Sequence, residues 1–545
     1  MPVPVPVPVP ALALGWYSPL AGGISCAMIE LGSYVAGKWV KGKGKAAELV
    51  NPATEEVVAT TSTEGLDFGE ALAFARDKGG PALRAMTFVQ RGEMLRAMSR
   101  AIHAKRDELL SMAQANGGNT RGDAKFDVDG ASGTLAAYAD LAAELGETHV
   151  LADGDAIQIG RGARLFGQHV YTPREGVAVH VNAFNFPAWG LAEKAATALL
   201  AGMPVISKPA TSTAHVAHRM MELFVEGNVL PEGALSLVCG SAGDMLERLG
   251  GQDVIAFTGS SITAAKLREG KSVLHHGTHI NVEADSLNAA VLGTDVEEGS
   301  DVMNLFIADV VREMTQKTGQ KCTAIRRIYV PRAKALAVIE LLRERLAAVK
   351  VGDPTRDDVN MGPVATAQQF RDLRDGVKGL EACAKIVFGS TSVEAPLGVP
   401  AGKGFFTTPV LLHSESPSPT DAVHSHEVFG PVATVIPYDD VKGAAALVAA
   451  GGGGLVTSIY ADDKDFIRQA VLALAPYHGR LTIGSSKISG QALPPGMALP
   501  QLLHGGPGRA GGGEELGGRR GMSLYMQRTA LQGDRALIEA IASKK

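Results

Sequence analysis

The chain has 545 residues, with 52 basic and 57 acidic side chains and a formal net charge of −5. That balance excludes the strongly basic footprint of a nucleic-acid binder. With 20% charged and 46% apolar residues the composition is globular, and at this length more than one domain is expected, since single cores stop growing at roughly 250–300 residues. Four cysteines cannot form a disulfide framework and suit a reducing compartment, so the expected location is cytoplasmic.

Residues 2–10 alternate Pro and Val, which favours polyproline II and cannot continue a helix or central strand. No basic residue precedes the apolar stretch that follows, which is shorter than the ~20 unbroken apolar residues a membrane helix needs. Residues 1–28 are therefore expected to be a disordered extension or a start assigned too early, with no membrane association. Short strands with a turn are predicted between Ser33 and Val58. A long helical stretch follows in RGEMLRAMSRAIHAKRDELLSMAQANGG, where Met94, Leu95, Met98, Ile102, Leu109 and Met112 fall mostly on one face. Residues 149–171 alternate like a hairpin, and the tail SLYMQRTALQG reads as a partner strand. Such edges invite pairing between chains.

From Gly176 to Asn288 the pattern is regular. VAVHVNAF, a helix over 191–201, PVISKP, a helix over 214–226, LSLVCG, DVIAFTGS, another helix and HINVEA succeed one another. Strand–helix alternation with short connections predicts right-handed crossovers and a parallel sheet. Its strands are apolar throughout, as when both faces are covered. A second α/β stretch runs from about Ala289 to Thr482, so the fold class is α/β. The 65 glycines are about 12% of the chain against a typical ~7%, and the excess over 505–521 marks local loops.

Parallel sheets bind ligands at the carboxyl ends of their strands. Lys208-Pro209, Gly240 to Gly243 and Thr258-Gly259-Ser260 stand at such ends. The dinucleotide fingerprint G-x-G-x-x-G is absent, so any nucleotide binds by a variant route. The segment TQKTGQKCTAIRR places Cys322 near Lys321, Arg326 and Arg327, and cations favour the nucleophilic thiolate. The alternative is a small buried apolar side chain, as Cys239 and Cys383 illustrate. Glu283 interrupts the apolar strand HINVEADSLNAAVL, where a carboxylate is costly unless paired or used. Apolar surroundings would raise its pKa toward that of a neutral-pH base, unless it simply reaches solvent. His275, His276 and His279, or His424 and His426 beside Glu427, lack a third ligand at a recognised spacing, so no metal is expected.

Taken together these segments resemble the aldehyde dehydrogenase superfamily from about Ile29 to Gly533. GQKC around Cys322 is similar to the family's nucleophile motif, FNFPAW to its N-F-P-W segment, KPA to its cofactor lysine segment, FTGS to its pyrophosphate turn and EVFGP to its nicotinamide-ribose segment. The resemblance implies a cofactor-binding domain over 29–288 carrying an oligomerisation hairpin at about 149–171. A catalytic domain would follow over 289–520, and a C-terminal oligomerisation tail over 521–545. Cys322 would attack the aldehyde carbon, with the Asn185 amide and the Cys322 N–H forming an oxyanion hole worth about 3–4 kcal/mol per lost donor. Glu283 would activate the water that hydrolyses the resulting thioester. Phe184, Lys208, Thr211, Gly259, Ser260, Glu427 and Phe429 would line the cofactor site.

Departures refine that reading. The usual E-L-G-G-K run is Glu283-Ala-Asp-Ser-Leu-Asn, and Glu515 in HGGPGRAGGGEELGG occupies the place of a second family glutamate and is an alternative base. These runs look most like the branch that oxidises CoA-linked semialdehydes after aromatic ring cleavage. The expected substrate is 3-oxo-5,6-dehydrosuberyl-CoA semialdehyde of phenylacetate degradation, with 3,4-dehydroadipyl-CoA semialdehyde of benzoyl-CoA degradation as the alternative. Because the sequence ends at Lys545, ring hydrolysis is expected to need a separate hydratase. NAD-preferring relatives often place Glu after KPA. Here Thr211 removes that charge and Lys208 stays, which favours NADP over NAD. A homodimer or homotetramer is implied. An acylating enzyme and a non-catalytic binding or channelling subunit are the other readings.

Overall fold

The computed structural model describes residues 29–162 and 164–542, so the N-terminal extension expected over 1–28 lies outside the described residues. Two seven-stranded sheets organise the rest. In the first, His279–Glu283, Val254–Thr258, Ala178–Val181, Val205–Lys208 and Leu235–Leu237 run parallel in that spatial order. Ser33–Val35 and Lys38–Val40 close that sheet antiparallel. The parallel strands are the apolar runs of the sequence, and helices cover them as such strands require.

The helix Trp189–Ala201 is buried along almost its whole length. Leu191, Leu199 and Leu200 are fully inside, each burial contributing about 1.5–3 kcal/mol. Lys194 is the anomaly in this apolar helix: a cation only 2% exposed. The helix predicted over 214–226 is found as Ala214–Glu226. The long helix expected around residues 91–118 is two, Phe88–Ala104 and Arg106–Gly117, because Lys105 leaves helical geometry at φ −119°.

In the second sheet Val410–His413, Val432–Tyr438, Arg327–Pro331, Ala289–Leu292, Gly454–Tyr460 and His478–Gly484 are parallel, with Lys385–Phe388 antiparallel at one edge. The residues between the two sheets, 284–288, carry the chain from one to the other. The hairpin Leu151–Gln158/Leu165–Pro173 forms as the alternation predicts, and Met526–Asp534 pairs antiparallel with its second strand over nine residues. The tail strand thus joins the hairpin of its own chain, leaving Leu151–Gln158 and Met526–Asp534 as the two edges.

The glycine-rich run has a specific use. It lies flush against the strand His279–Glu283: Gly513 N donates to Val282 O at 3.0 Å and Ala284 N to Ala510 O at 3.0 Å. Gly511 has φ +102°, and a side chain there would sit 2.3 Å from Val282 O. Only glycine permits that approach. The run ends in a two-stranded ladder, Leu503–Gly505 against Glu514–Leu516.

Candidate active site

The carboxyl end of the first sheet meets the loop after helix Asp301–Thr315, and the predicted residues converge there. Glu283 is the last residue of its strand and 2% exposed. It therefore does not reach solvent. Cys322 lies on the loop that enters the strand Arg327–Pro331. Asn288 fixes that loop from below, its Nδ2 donating to Cys322 O at 2.8 Å and Ala324 O at 2.9 Å. A narrow pocket of about 50 Å³ is lined by Asn185, Trp189, Thr258, Glu283, Cys322 and His504 among others. A second, more open cavity of about 620 Å³ shares Phe126, Trp189 and Ala498 with it, and Lys125 and Gln501 also line that space.

Two expectations about electrostatics are corrected. The cations around Cys322 do not face the thiol. Lys321 Nζ pairs with Glu313 Oε2 at 2.7 Å, Arg326 donates to Gly430 O at 2.6 Å and Lys321 O at 3.1 Å, and Arg327 donates to the carbonyls of Leu287, Leu447 and Val448. Burial then dominates, with the Glu283 charge adding, and the Cys322 thiol is pushed well above its usual range.

Glu283 shifts the other way from the apolar-pocket expectation. Burial raises its pKa, but His504 and then Lys194 outweigh burial and hold it at about 2. The partner is close: His504 Nε2 lies 3.0 Å from Glu283 Oε2 and 3.9 Å from Cys322 Sγ. Burial lowers the His504 pKa, yet the Glu283 charge and hydrogen bond more than offset it, and the net shift is upward. Glu283 Oε1 is buried and accepts no hydrogen bond.

Glu515, the alternative base, stands elsewhere. Its Oε2 is 3.0 Å from Lys194 Nζ, which also contacts Glu193 Oε1 at 3.2 Å. Burial pushes Glu515 up to about 7 against the opposing Lys194 charge. Asn185 Nδ2 donates to Gln320 O at 3.0 Å, so one of its two amide hydrogens is engaged and the other is uncommitted.

The expected cofactor residues gather at the same carboxyl ends. Phe184 and Phe429 meet edge to face at 5.7 Å. Glu427 Oε2 accepts from Ser286 N at 2.9 Å, while its Oε1 accepts no hydrogen bond and lies 3.5 Å from Arg326 Nε. Lys208 ends its strand and donates to Pro209 O at 3.2 Å, and Thr211 opens a short turn before the helix Ala214–Glu226. Gly259 N is taken by Glu283 O, and the Ser260 hydroxyl caps the helix Ser261–Arg268. Asp285 accepts from Ser261 N at 2.9 Å and Ser261 Oγ at 2.6 Å, so part of that helix N-terminus already faces a carboxylate. The orphaned oxygens of Glu427 and Thr258 suit a hydroxyl-rich ligand, and the residues fit a dinucleotide.

The histidine clusters are otherwise engaged. His276 Nδ1 contacts Leu249 O, His279 lies against Arg174, and His424 against Arg327. Sequence reasoning missed His504, Lys194 and Asn288. Lys194 was visible as a lone cation in an apolar helix, and His504 heads the glycine-rich run. Nothing local ties either to Cys322.

This constellation, a half-buried thiol beside a buried carboxylate at the mouth of a parallel-sheet ligand site, has a counterpart in known proteins. The profile of the aldehyde dehydrogenase family matches residues 39–530, and the chain belongs to that family of NAD(P)-dependent oxidoreductases. It is 42% identical over 479 residues to the 3,4-dehydroadipyl-CoA semialdehyde dehydrogenase of Aromatoleum evansii, an alignment covering 88% of this chain and 93% of that one. Among solved structures, lactaldehyde dehydrogenase from Escherichia coli superposes with a TM-score of 0.81 at 24% identity, covering 93% of this chain and 99% of the other. A 3,6-anhydro-L-galactose dehydrogenase gives 0.80 at 22% identity over 92% and 100%. The α/β expectation holds in both. Among the described residues no helix is long and apolar enough to cross a membrane.

Proposed function

We propose that this protein oxidises a CoA-linked, unsaturated semialdehyde to its carboxylic acid with NADP. The observation that carries the substrate class is the 42% identity, over nearly the full length of both chains, to a dehydrogenase of a CoA semialdehyde. Similarity to that relative supports 3,4-dehydroadipyl-CoA semialdehyde, the alternative substrate, over the phenylacetate-derived compound. The cavity adjoining the pocket offers room for a substrate whose aldehyde is one end of a much larger molecule.

Cys322 Sγ adds to the aldehyde carbon. The Cys322 N–H and the free amide hydrogen of Asn185 receive the oxyanion, a preorganised arrangement that costs no rearrangement during reaction. When bound, NADP supplies the hydride acceptor. Lys208 and Thr211 would hold its adenosine ribose side, Gly259 and Ser260 its pyrophosphate, and Glu427, Phe184 and Phe429 the nicotinamide ribose region. Glu283, through its unpartnered Oε1, orients the water that hydrolyses the thioester. Glu515 lies against Lys194, which leaves Glu283 as the carboxylate beside the thiol. A water-orienting carboxylate would be superfluous if CoA resolved the thioester, which disfavours an acylating enzyme. A binding subunit would have no need of a thiol and a buried carboxylate side by side in the pocket.

Pairing between chains through the edges of the sheet formed by residues 151–173 and 526–534 would give a dimer or tetramer. Ile157 and Leu165 are exposed on that sheet, and Leu537 and Ile541 on the helix Arg535–Ala542 that follows it. Four cysteines in 545 residues, too few for a disulfide framework, support a cytoplasmic location.

The test is NADPH formation with a CoA-linked unsaturated semialdehyde, compared with the corresponding free-acid semialdehyde and with Cys322→Ala as control. Strong preference for the CoA form, lost in the variant, is expected. Equal turnover of both substrates would remove the CoA assignment.

A further inference from the structure

Cys322, Glu283 and His504 each bring one donor atom to the same small space. The thiol sulfur, a carboxylate oxygen and a ring nitrogen all lie within 4.8 Å of one another. His504 Nε2 is 3.0 Å from Glu283 Oε2 and 3.9 Å from Cys322 Sγ. Donors around a tetrahedral zinc ion, at bond lengths of about 2.0–2.3 Å, stand about 3.2–3.7 Å apart, so both separations at His504 are close to that geometry. The donors come from three elements: the strand His279–Glu283, the loop that Asn288 holds, and the ladder strand Leu503–Gly505. Glu283 and His504 are both buried, so packing sets where they point. Glu283 Oε1 accepts no hydrogen bond, on a residue that lines the pocket, and is a further acceptor for a ligand there.

We propose that these three side chains form a binding site for a divalent ion of the zinc class, held by Cys322 Sγ, a Glu283 oxygen and His504 Nε2, with water as the fourth ligand. The ion takes the place of the proton between His504 and Glu283. On binding, the S–H bond of Cys322 and the Nε2–H bond of His504 break, and both protons leave to solvent. The ring is left neutral with its proton on Nδ1 and a lone pair on Nε2. Bonds form from the metal to sulfur, nitrogen and oxygen, and no electron is transferred.

The donor set selects the metal. A thiolate and an imidazole favour zinc, cadmium or cobalt, whereas magnesium and calcium need cages of oxygen. Thiolate and carboxylate together carry two negative charges, which a divalent ion cancels, so the occupied site buries no net charge. Glu193 and Glu427 also act on the thiol and favour a cation, while Arg480 opposes it. Lys194 is already paired with Glu515 and Glu193. A coordinated sulfur has committed its lone pair to the metal, so an occupied site blocks turnover reversibly. That consequence rests on the role proposed for Cys322 above; the site itself does not.

The purified full-length protein, treated with a chelator and free of aldehyde and dinucleotide, is titrated with Zn²⁺ against a zinc-sensitive dye and with Co²⁺ as a spectroscopic probe. One equivalent of zinc should bind with micromolar or tighter affinity. The cobalt form should show a thiolate-to-metal charge-transfer band and the visible bands of a tetrahedral ion. Cys322→Ala should abolish the charge-transfer band. His504→Gln and His504→Ala should each weaken zinc at least tenfold, while NADP affinity within threefold of the parent shows that the protein is folded. Millimolar Mg²⁺ should not displace zinc. Zinc should stop NADPH formation, and a chelator should restore it. Absence of binding would overturn the proposal. So would binding that survives Cys322→Ala, or affinity within threefold of the parent in both histidine variants, since either describes an adventitious ion only. Zinc bound with all these signatures but without effect on turnover would overturn the role given to Cys322 and leave the site standing. The titration uses neither substrate nor cofactor, so an error in the substrate assignment leaves it untouched.

Discussion

His504 and Glu515 are register partners across the ladder Leu503–Gly505/Glu514–Leu516. One short hairpin therefore delivers two charged groups to the buried site, His504 to Glu283 and Glu515 to Lys194. Each alone would be costly to bury, and each is tolerable because a partner of opposite charge waits at 3.0 Å.

The Glu283–His504 pair makes stability pH-dependent in a signed way. Glu283 is depressed to about 2, so its contribution is present above its unfolded value of 4.5 and is lost as pH falls through 2. His504 is raised above 6.5, so its contribution is complete below 6.5 and is lost as pH rises through its folded value. The pair should stabilise most between about 4.5 and 6.5. Melting temperatures of the parent and His504→Gln are expected to differ most in that window and to converge on either side. Glu515, pushed up to about 7, titrates in both proteins and largely drops out of the difference.

Asn288 is fully buried and carries two carbonyls of the thiol loop on one amide. Its Oδ1 also accepts from Val456 N at 3.0 Å and Ser286 Oγ at 2.6 Å. Asn288→Leu leaves these groups without a partner, at about 1–3 kcal/mol for each one left unsatisfied. A fall in melting temperature of several degrees should be accompanied by a larger proportional loss of kcat than of cofactor affinity, because the loop carries the thiol and the cofactor residues lie beyond it. Thermal denaturation and NADPH fluorescence titration check both.

Cys322→Ala removes the proposed nucleophile and also the neighbour of Glu283 and His504. Turnover should become undetectable while NADP binding stays within about threefold, read by the same titration. Retained turnover would point to another nucleophile.

Thr211 stands three residues after Lys208 and is neutral. Thr211→Glu is expected to reverse or erase the preference for NADP, lowering the kcat/KM ratio of NADP over NAD at least tenfold. A carboxylate there repels a 2′-phosphate and accepts ribose hydroxyls. Steady-state kinetics with both cofactors decide it, and a parent enzyme already faster with NAD would refute the premise.

Much of this protein was legible before any coordinates. The parallel sheets follow from apolar runs alternating with helices, and the helix Ala214–Glu226 and the hairpin Leu151–Gln158/Leu165–Pro173 lie where the local patterns put them. Helix breaks were less legible. Lys105 interrupts a stretch whose apolar face continues on both sides, and nothing in its own side chain announces the break.

The electrostatics of the site were misjudged from sequence for one reason. Neighbours in sequence were treated as neighbours in space, so Lys321, Arg326 and Arg327 were expected to activate Cys322. On a tight loop successive side chains point in different directions, and these three found Glu313, backbone carbonyls and Glu427 instead.

By itself, then, the sequence determined what depends on local order: alternating strands and helices, the residues at the strand ends, the glycines that let one segment lie against another, and the candidate thiol and carboxylate. Tertiary structure decided which groups touch. Whether Glu283 is a free base or half of an ion pair depends on a histidine far along the chain, brought over by the ladder that follows the second sheet. Charge interactions act through distance, and in a buried site a few ångströms separate a pKa raised by desolvation from one lowered by a partner.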